Sequence, residues 1–226
     1  MKAWWVFVLI GVAGLALGFS AMGQAFREIP PLSGAYTLRS GEVLLGGGFS
    51  LALSAPRYVS SFVQGAFGLT SAFQVEGSVG HSLIGTELFE SWMIYALGAK
   101  VRVSLAPSLD LGFPVSISFI DTDEGLRFGN TSGGAVLSLG LGATVLHSEL
   151  VFFSSRFGLF MLLGVGLDYD LWPTLRLGTQ ARLAWIGFAL DLSVTMWTRL
   201  YPFLDLRLTL NPSALTLEAA AYLRLR

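Results

Sequence analysis

His81 and His147 are the only histidines in this chain of 226 residues, so the imidazole of a serine hydrolase would have to be one of them. They stand in the sequences His81-Ser82 and His147-Ser148-Glu149. Hydrolysis by a serine needs an imidazole to take the hydroxyl proton and an acid or amide to orient the ring. His81 falls in a strand-like run, where neighbouring side chains point to opposite faces, and His147 falls at a predicted turn. Neither adjacent serine is placed to pair with its imidazole, and neither segment carries a hydrolase motif. No catalytic residue is therefore assigned, and the chain is read as a non-enzyme. Two isolated histidines without cysteine make no metal-ligand cluster, and no cofactor is expected. Gly46-Gly47-Gly48 and Gly164-Val165-Gly166 precede no phosphate-binding helix, and they read as bend or inner-wall positions.

The remaining reactive side chains are charges, and they sit in a pattern of period two. Leu175, Leu177, Ala181, Leu183 and Trp185 alternate with Thr174, Arg176, Gly178, Gln180 and Arg182. Phe188, Leu190, Leu192, Val194 and Met196 alternate with Asp191, Ser193 and Thr195, and Leu204 to Leu210 with Asp205, Arg207 and Thr209. The same alternation runs through Met93 to Val103, Leu109 to Phe119 and Leu137 to Val145. Leu215 to Leu225 alternates with Glu218, Tyr222 and Arg224, which favours a closing strand over a helix. Breakers separate the runs at Ala55-Pro56, Leu69 to Ala72, Gly85 to Glu90, Ala106-Pro107, Asp121 to Gly134, Trp172-Pro173, Tyr201-Pro202 and Asn211-Pro212. Segments of about ten residues split by such turns predict roughly ten to twelve antiparallel strands, with twelve preferred. Asp121 to Gly134, the longest gap, is expected to be an external loop.

Composition decides which face of these strands is inside. Only 13% of residues are charged, 53% are hydrophobic, Gly occurs 27 times and the formal charge is -1. A water-facing surface needs about a quarter of residues charged, and a nucleic-acid binder needs a basic face. Polar faces built of Gly, Ser and Thr suit an interior, while large apolar residues face lipid. The expected fold is all-β, a closed up-and-down transmembrane barrel, since lipid offers no partner to the free N–H and C=O groups of an open sheet edge. A charge turned toward lipid would cost roughly 2 to 4 kcal/mol at mid-bilayer. The inner wall is accordingly assigned Glu76, Lys100, Arg102, Asp110, Asp168, Asp170, Arg176, Gln180, Arg182, Asp191, Asp205, Arg207, Glu218 and Arg224. Cross-strand ion pairs are expected for Arg102 with Asp110, Asp168 or Asp170 with Arg176, Arg182 with Asp191, and Arg207 with Glu218. Trp92, Tyr169, Trp172, Trp185, Trp197, Tyr201 and Phe203 fall near strand ends and read as an aromatic girdle at headgroup level.

Ahead of the barrel, Lys2, the apolar run Ala3 to Leu17 and the small-x-Ala end Gly23-Gln24-Ala25 read as a secretory signal over residues 1–25, the alternative being an uncleaved anchor helix. Residues 26–41, with Pro30-Pro31 and Ser33-Gly34, read as a lead-in, and 42–226 as the barrel.

Signal, alternation and aromatic placement together resemble the bacterial outer-membrane β-barrel proteins as a superfamily. The resemblance implies the outer membrane of a diderm bacterium, contact with its lipids and insertion by the barrel-assembly machinery. The chain departs from the common aromatic ending, closing on Tyr222-Leu223-Arg224-Leu225-Arg226. The expected function is a passive channel for small hydrophilic solutes. The alternatives are a non-conducting structural or partner-binding barrel and, further off, a lipid hydrolase. N-terminal sequencing of the mature protein should read from Phe26; recovery of Met1 would favour the anchor helix.

Overall fold

The computed structural model of this chain describes residues 35–52, 57–85, 89–155, 158–184, 189–201, 203–212 and 215–225. The signal segment and most of the lead-in lie outside them. Twelve strands follow one another: β1 (Val43–Ala52), β2 (Arg57–Thr70), β3 (Phe73–Gly85), β4 (Phe89–Ala106), β5 (Leu109–Thr122), β6 (Gly125–Leu141), β7 (Thr144–Ser155), β8 (Gly158–Trp172), β9 (Leu175–Ala184), β10 (Ala189–Tyr201), β11 (Leu204–Asn211) and β12 (Thr216–Leu225). Each pairs antiparallel with its chain neighbour, and β1 pairs with β12 from Val43↔Leu225 to Ala52↔Thr216, which closes the barrel. Among the described residues no helix is long and apolar enough to cross a membrane. The strands themselves, 8 to 18 residues long, supply the spanning elements.

Period two carries the facing. Val63, Leu97 and Val165 are 67%, 63% and 61% exposed on the outer surface, whereas Gln74, Lys100, Asp110 and Glu218 are buried within. So broad an apolar exterior is unfavourable in water and is the surface a bilayer solvates.

Two stretches depart from the sequence reading. Asp121 to Gly134 is no long loop: β5 continues to Thr122, β6 starts at Gly125, and Asp123-Glu124 make the turn. Its Gly, Asn, Ser and Thr residues resemble loop chemistry, but most form ladder, because small residues suit an inner wall. A register shift there pairs Ser118 with Asn130 and Phe119 with Phe128, leaving Gly129 as the extra residue. The shift brings the Phe119 and Phe128 rings edge to face at 6.5 Å. The run Leu137 to Val145 is likewise divided at Gly142-Ala143, with Gly142 in the left-handed region at φ 67°. His147-Ser148-Glu149 consequently lies inside β7 rather than in a turn.

A barrel closed by its own ladder should resist mild detergent. Unboiled protein should migrate differently from boiled protein on gels, with far-ultraviolet circular dichroism dominated by β structure; a helical spectrum would contradict the fold.

Candidate functional site: a lumen lined by paired charges and entered by the N-terminal segment

The interior of the barrel is the candidate site. Its polar wall is built from same-face residues on neighbouring strands, where cross-strand side chains come within reach of one another. Arg102 on β4 grips Asp110 on β5 through two bonds of 2.9 and 3.0 Å, and the Ser104 hydroxyl donates to the same carboxylate at 2.6 Å. Arg176 on β9 holds Asp170 on β8 in the same fork, at 2.5 and 3.1 Å. Arg207 on β11 donates to Glu218 on β12, with both side chains almost wholly buried. Asp205 accepts from Arg199 at 2.8 Å and lies 3.5 Å from Arg224. Glu76 accepts from Gln74 at 3.1 Å, and Lys100 is buried nearby, opposite Gln74 in the β3–β4 register.

Arg182 makes an ion pair that the sequence reading missed. The ladder sets Asp191 opposite Arg182, but the Asp191 side chain lies outside the described residues. Among the described side chains, Arg182 donates to Glu149 at 2.5 Å, and Gln180 donates to the same carboxylate at 3.0 Å. Glu149 stands on β7, so its side chain must cross β8 to reach β9. It does so over Gly164, where a Cβ would overlap the carboxylate. An intervening glycine on the inner face is the sequence signal for such a long-range pair. Reading His147 to Glu149 as a turn concealed it.

The aromatic residues divide. Tyr169 and Trp172 are exposed on the outer face near the turns, and Phe203 is exposed in the β10–β11 turn. Trp92 and Trp197 turn inward, so they do not join the girdle. Trp92 pairs with buried Ser82, and the Trp197 ring lies over Gly178. Both occupy the polar parity of their strands, and parity overrides proximity to a strand end. Trp185 and the Tyr201 side chain lie outside the described residues.

The lumen also holds Ala35 to Glu42. A tight turn folds this segment inward from β1: Gly41 adopts φ 77°, Glu42 N–H donates to Arg39 O at 3.0 Å, and Arg39 N–H donates to the Glu42 carboxylate at 3.0 Å. Arg224 of β12 donates to the same carboxylate at 3.1 Å. The segment then runs along the inner wall from β2 to β6. Leu38 N–H donates to Gln74 on β3 at 3.0 Å, and Ala35 N–H donates to Ser138 on β6 at 2.8 Å. Arg102 sits 5.4 Å from the Tyr36 ring centroid. Glycines on the wall make room: a Cβ on Gly112 would lie 2.8 Å from Ala35, and one on Gly68 would overlap the Arg39 carbonyl. Leu38 joins Leu44, Phe62, Ala66, Ala220 and Tyr222 in an apolar cluster inside the barrel. Burial, and then Asp110, push the Tyr36 hydroxyl above its ordinary pKa, with Arg102 and Arg176 acting in the opposite sense.

No family model matches this chain, and no curated protein matches it either. Solved structures do resemble it. The KdgM porin in complex with disordered oligogalacturonate superposes with a TM-score of 0.59 at 6% identity, covering 82% of this chain and 98% of that one. The fold is that of the bacterial outer-membrane β-barrels. The translocator domain of the autotransporter NalP from Neisseria meningitidis gives 0.59 at 11% identity over 93% and 96% of the two chains. An outer-membrane channel from Pseudomonas putida gives 0.54 at 12% identity over 88% and 100%.

Removing one partner of the Arg207–Glu218 pair strands a buried charge. Arg207→Ala or Glu218→Ala should each destabilise the barrel by about 3–5 kcal/mol, while Arg207→Met combined with Glu218→Leu should recover most of the loss. Urea unfolding in detergent micelles would measure all three.

Proposed function

We propose that this protein is a small outer-membrane channel for hydrophilic solutes, obstructed at rest by its own residues Ala35 to Glu42. The observation that carries the reading is the combination of a polar, charge-paired lumen with a segment held there by hydrogen bonds, some to the backbone of β2 and the β2–β3 turn at Gly68, Leu69 and Ser71 and the others to wall side chains. The side-chain bonds join Ala35 to Ser138, Leu38 to Gln74 and Glu42 to Arg224. Contacts of this kind exchange for water at modest net cost, since each is worth roughly 0.5–1.5 kcal/mol, or 1.5–3 kcal/mol where a charge takes part. The segment can therefore leave without unfolding the barrel. The likeness to the KdgM porin and to the Pseudomonas putida channel supports the same function. On this reading the protein sits in the outer membrane of a diderm bacterium after signal cleavage, is inserted by the barrel-assembly machinery, and is not an enzyme.

Acidic and basic side chains alternate around the wall, so an opened lumen would have weak ion selectivity. A second reading, a non-conducting braced barrel, draws on the depth at which Lys100, Arg207 and Glu218 are buried, at 3%, 6% and 1% exposure.

Planar-bilayer recording of the full-length mature protein separates the two. The native chain should show rare openings. Gly112→Val, which places a side chain where Ala35 lies, should raise the open probability at least several-fold. Absence of conductance above the lipid background in both proteins would leave the braced barrel.

A further inference from the structure

Three residues on adjacent strands form a hydrogen-bonded chain. The Ser138 hydroxyl on β6 lies 2.8 Å from His147 Nδ1 on β7, and His147 Nε2 lies 3.1 Å from Asp168 on β8. A carboxylate only accepts, so Nε2 carries the proton, Nδ1 accepts from Ser138, and the Ser138 oxygen is left to accept Ala35 N–H. Composition alone suggests a nucleophilic serine, but Ser138 is 0% exposed and its oxygen already faces a backbone donor. The chain instead ends on the obstructing segment.

We infer that Ser138, His147 and Asp168 form a proton-sensitive latch that docks Ala35 and releases it when His147 is protonated. The inference rests on the reading of Ala35 to Glu42 as a displaceable plug. With neutral His147, donors and acceptors alternate without conflict from Ala35 to Asp168, and each bond polarises the next. Protonation puts a second donor on Nδ1. The Ser138 oxygen must then accept from both His147 and Ala35, and its own hydrogen must turn toward Asp110, which stands opposite Ser138 in the β5–β6 register and already accepts from Arg102 and Ser104. Undocking relieves this, because water can then receive the hydroxyl proton. Protonated His147 meanwhile keeps its ion pair with Asp168. Acid therefore favours the undocked segment.

Among the described residues, the other ionisable groups facing this region are Tyr36 on the segment, Arg102 and Asp110 on β4 and β5, Glu149 on β7, Asp170 on β8, and Arg176 and Arg182 on β9. Among these side-chain types, imidazole is the one whose ordinary titration falls between pH 5.5 and 7.5.

The chain contains no cysteine, so a single thiol can report docking whether or not the barrel conducts. Full-length Leu38→Cys protein would be labelled with a maleimide at pH 7.5 and 5.5. Each rate would be divided by that of Asp123→Cys, in the exposed β5–β6 turn, to cancel the change in thiolate fraction. The relative rate should rise roughly tenfold at the lower pH, the scale of one poorly satisfied buried hydroxyl. His147→Gln, which can still accept from Ser138 and donate to Asp168, should abolish the rise, and His81→Gln should leave it intact. A flat profile in the Leu38→Cys protein, or a rise that survives His147→Gln, would overturn the latch. Missing conductance with the rise intact would count against the channel alone.

Discussion

Everything in this molecule depends on one constraint: a β-sheet surrounded by hydrocarbon must pair its last strand with its first. An unpaired N–H or C=O in lipid costs several kcal/mol, and an open edge would expose a row of them. The β1–β12 ladder removes that edge, running over ten residue pairs from Val43↔Leu225 to Ala52↔Thr216. Closure then determines the rest. Every strand acquires an inside and an outside, and a single parity error would turn a row of leucines inward and a row of charges toward lipid.

A barrel of twelve strands is wider than wall side chains of ordinary size can fill. This chain occupies the interior in two ways. Long polar side chains meet across the wall, most of all where Glu149 passes over Gly164 to reach Arg182 and Gln180. The N-terminal segment supplies the rest, lying against Gly68 and Gly112 and burying Leu38 with Phe62 and Tyr222. The glycines of the inner wall are thus docking surface as well as empty space. A lumen filled partly by covalently attached chain differs from one filled by wall residues, because attached chain can leave while the ladder stays intact.

The same geometry explains why a serine, a histidine and an aspartate in hydrogen-bond contact need not be catalytic. Nucleophilic catalysis requires an oxygen that a substrate can approach. Ser138 is covered by Ala35, and the polarity of the chain suits the anchoring of a backbone amide. Adjacency in sequence was misleading here. His147 has Ser148 beside it on the opposite face, whereas its partner Ser138 is nine residues away and directly across the ladder.

The alternation of large apolar with small or charged residues, together with few charges and abundant glycine, was enough to establish an all-β transmembrane barrel, its up-and-down order and its preferred strand count. Period two and the absence of water are local and compositional constraints, so they are legible in the chain. The four expected pairings all joined successive strands, and Arg102–Asp110, Asp170–Arg176 and Arg207–Glu218 are present among the described side chains. What only the tertiary structure decided involves residues far apart along the chain or stretches whose composition imitates a loop. Glu149 meets Arg182 across an intervening strand, Ala35 meets Ser138 across the lumen, and Asp121 to Gly134 pairs as ladder although its residues favour turns. Trp92 and Trp197 face inward for the same reason, because parity is set by the register of the closed sheet. Register and closure are properties of the whole ring, and no window of sequence shorter than the ring contains them.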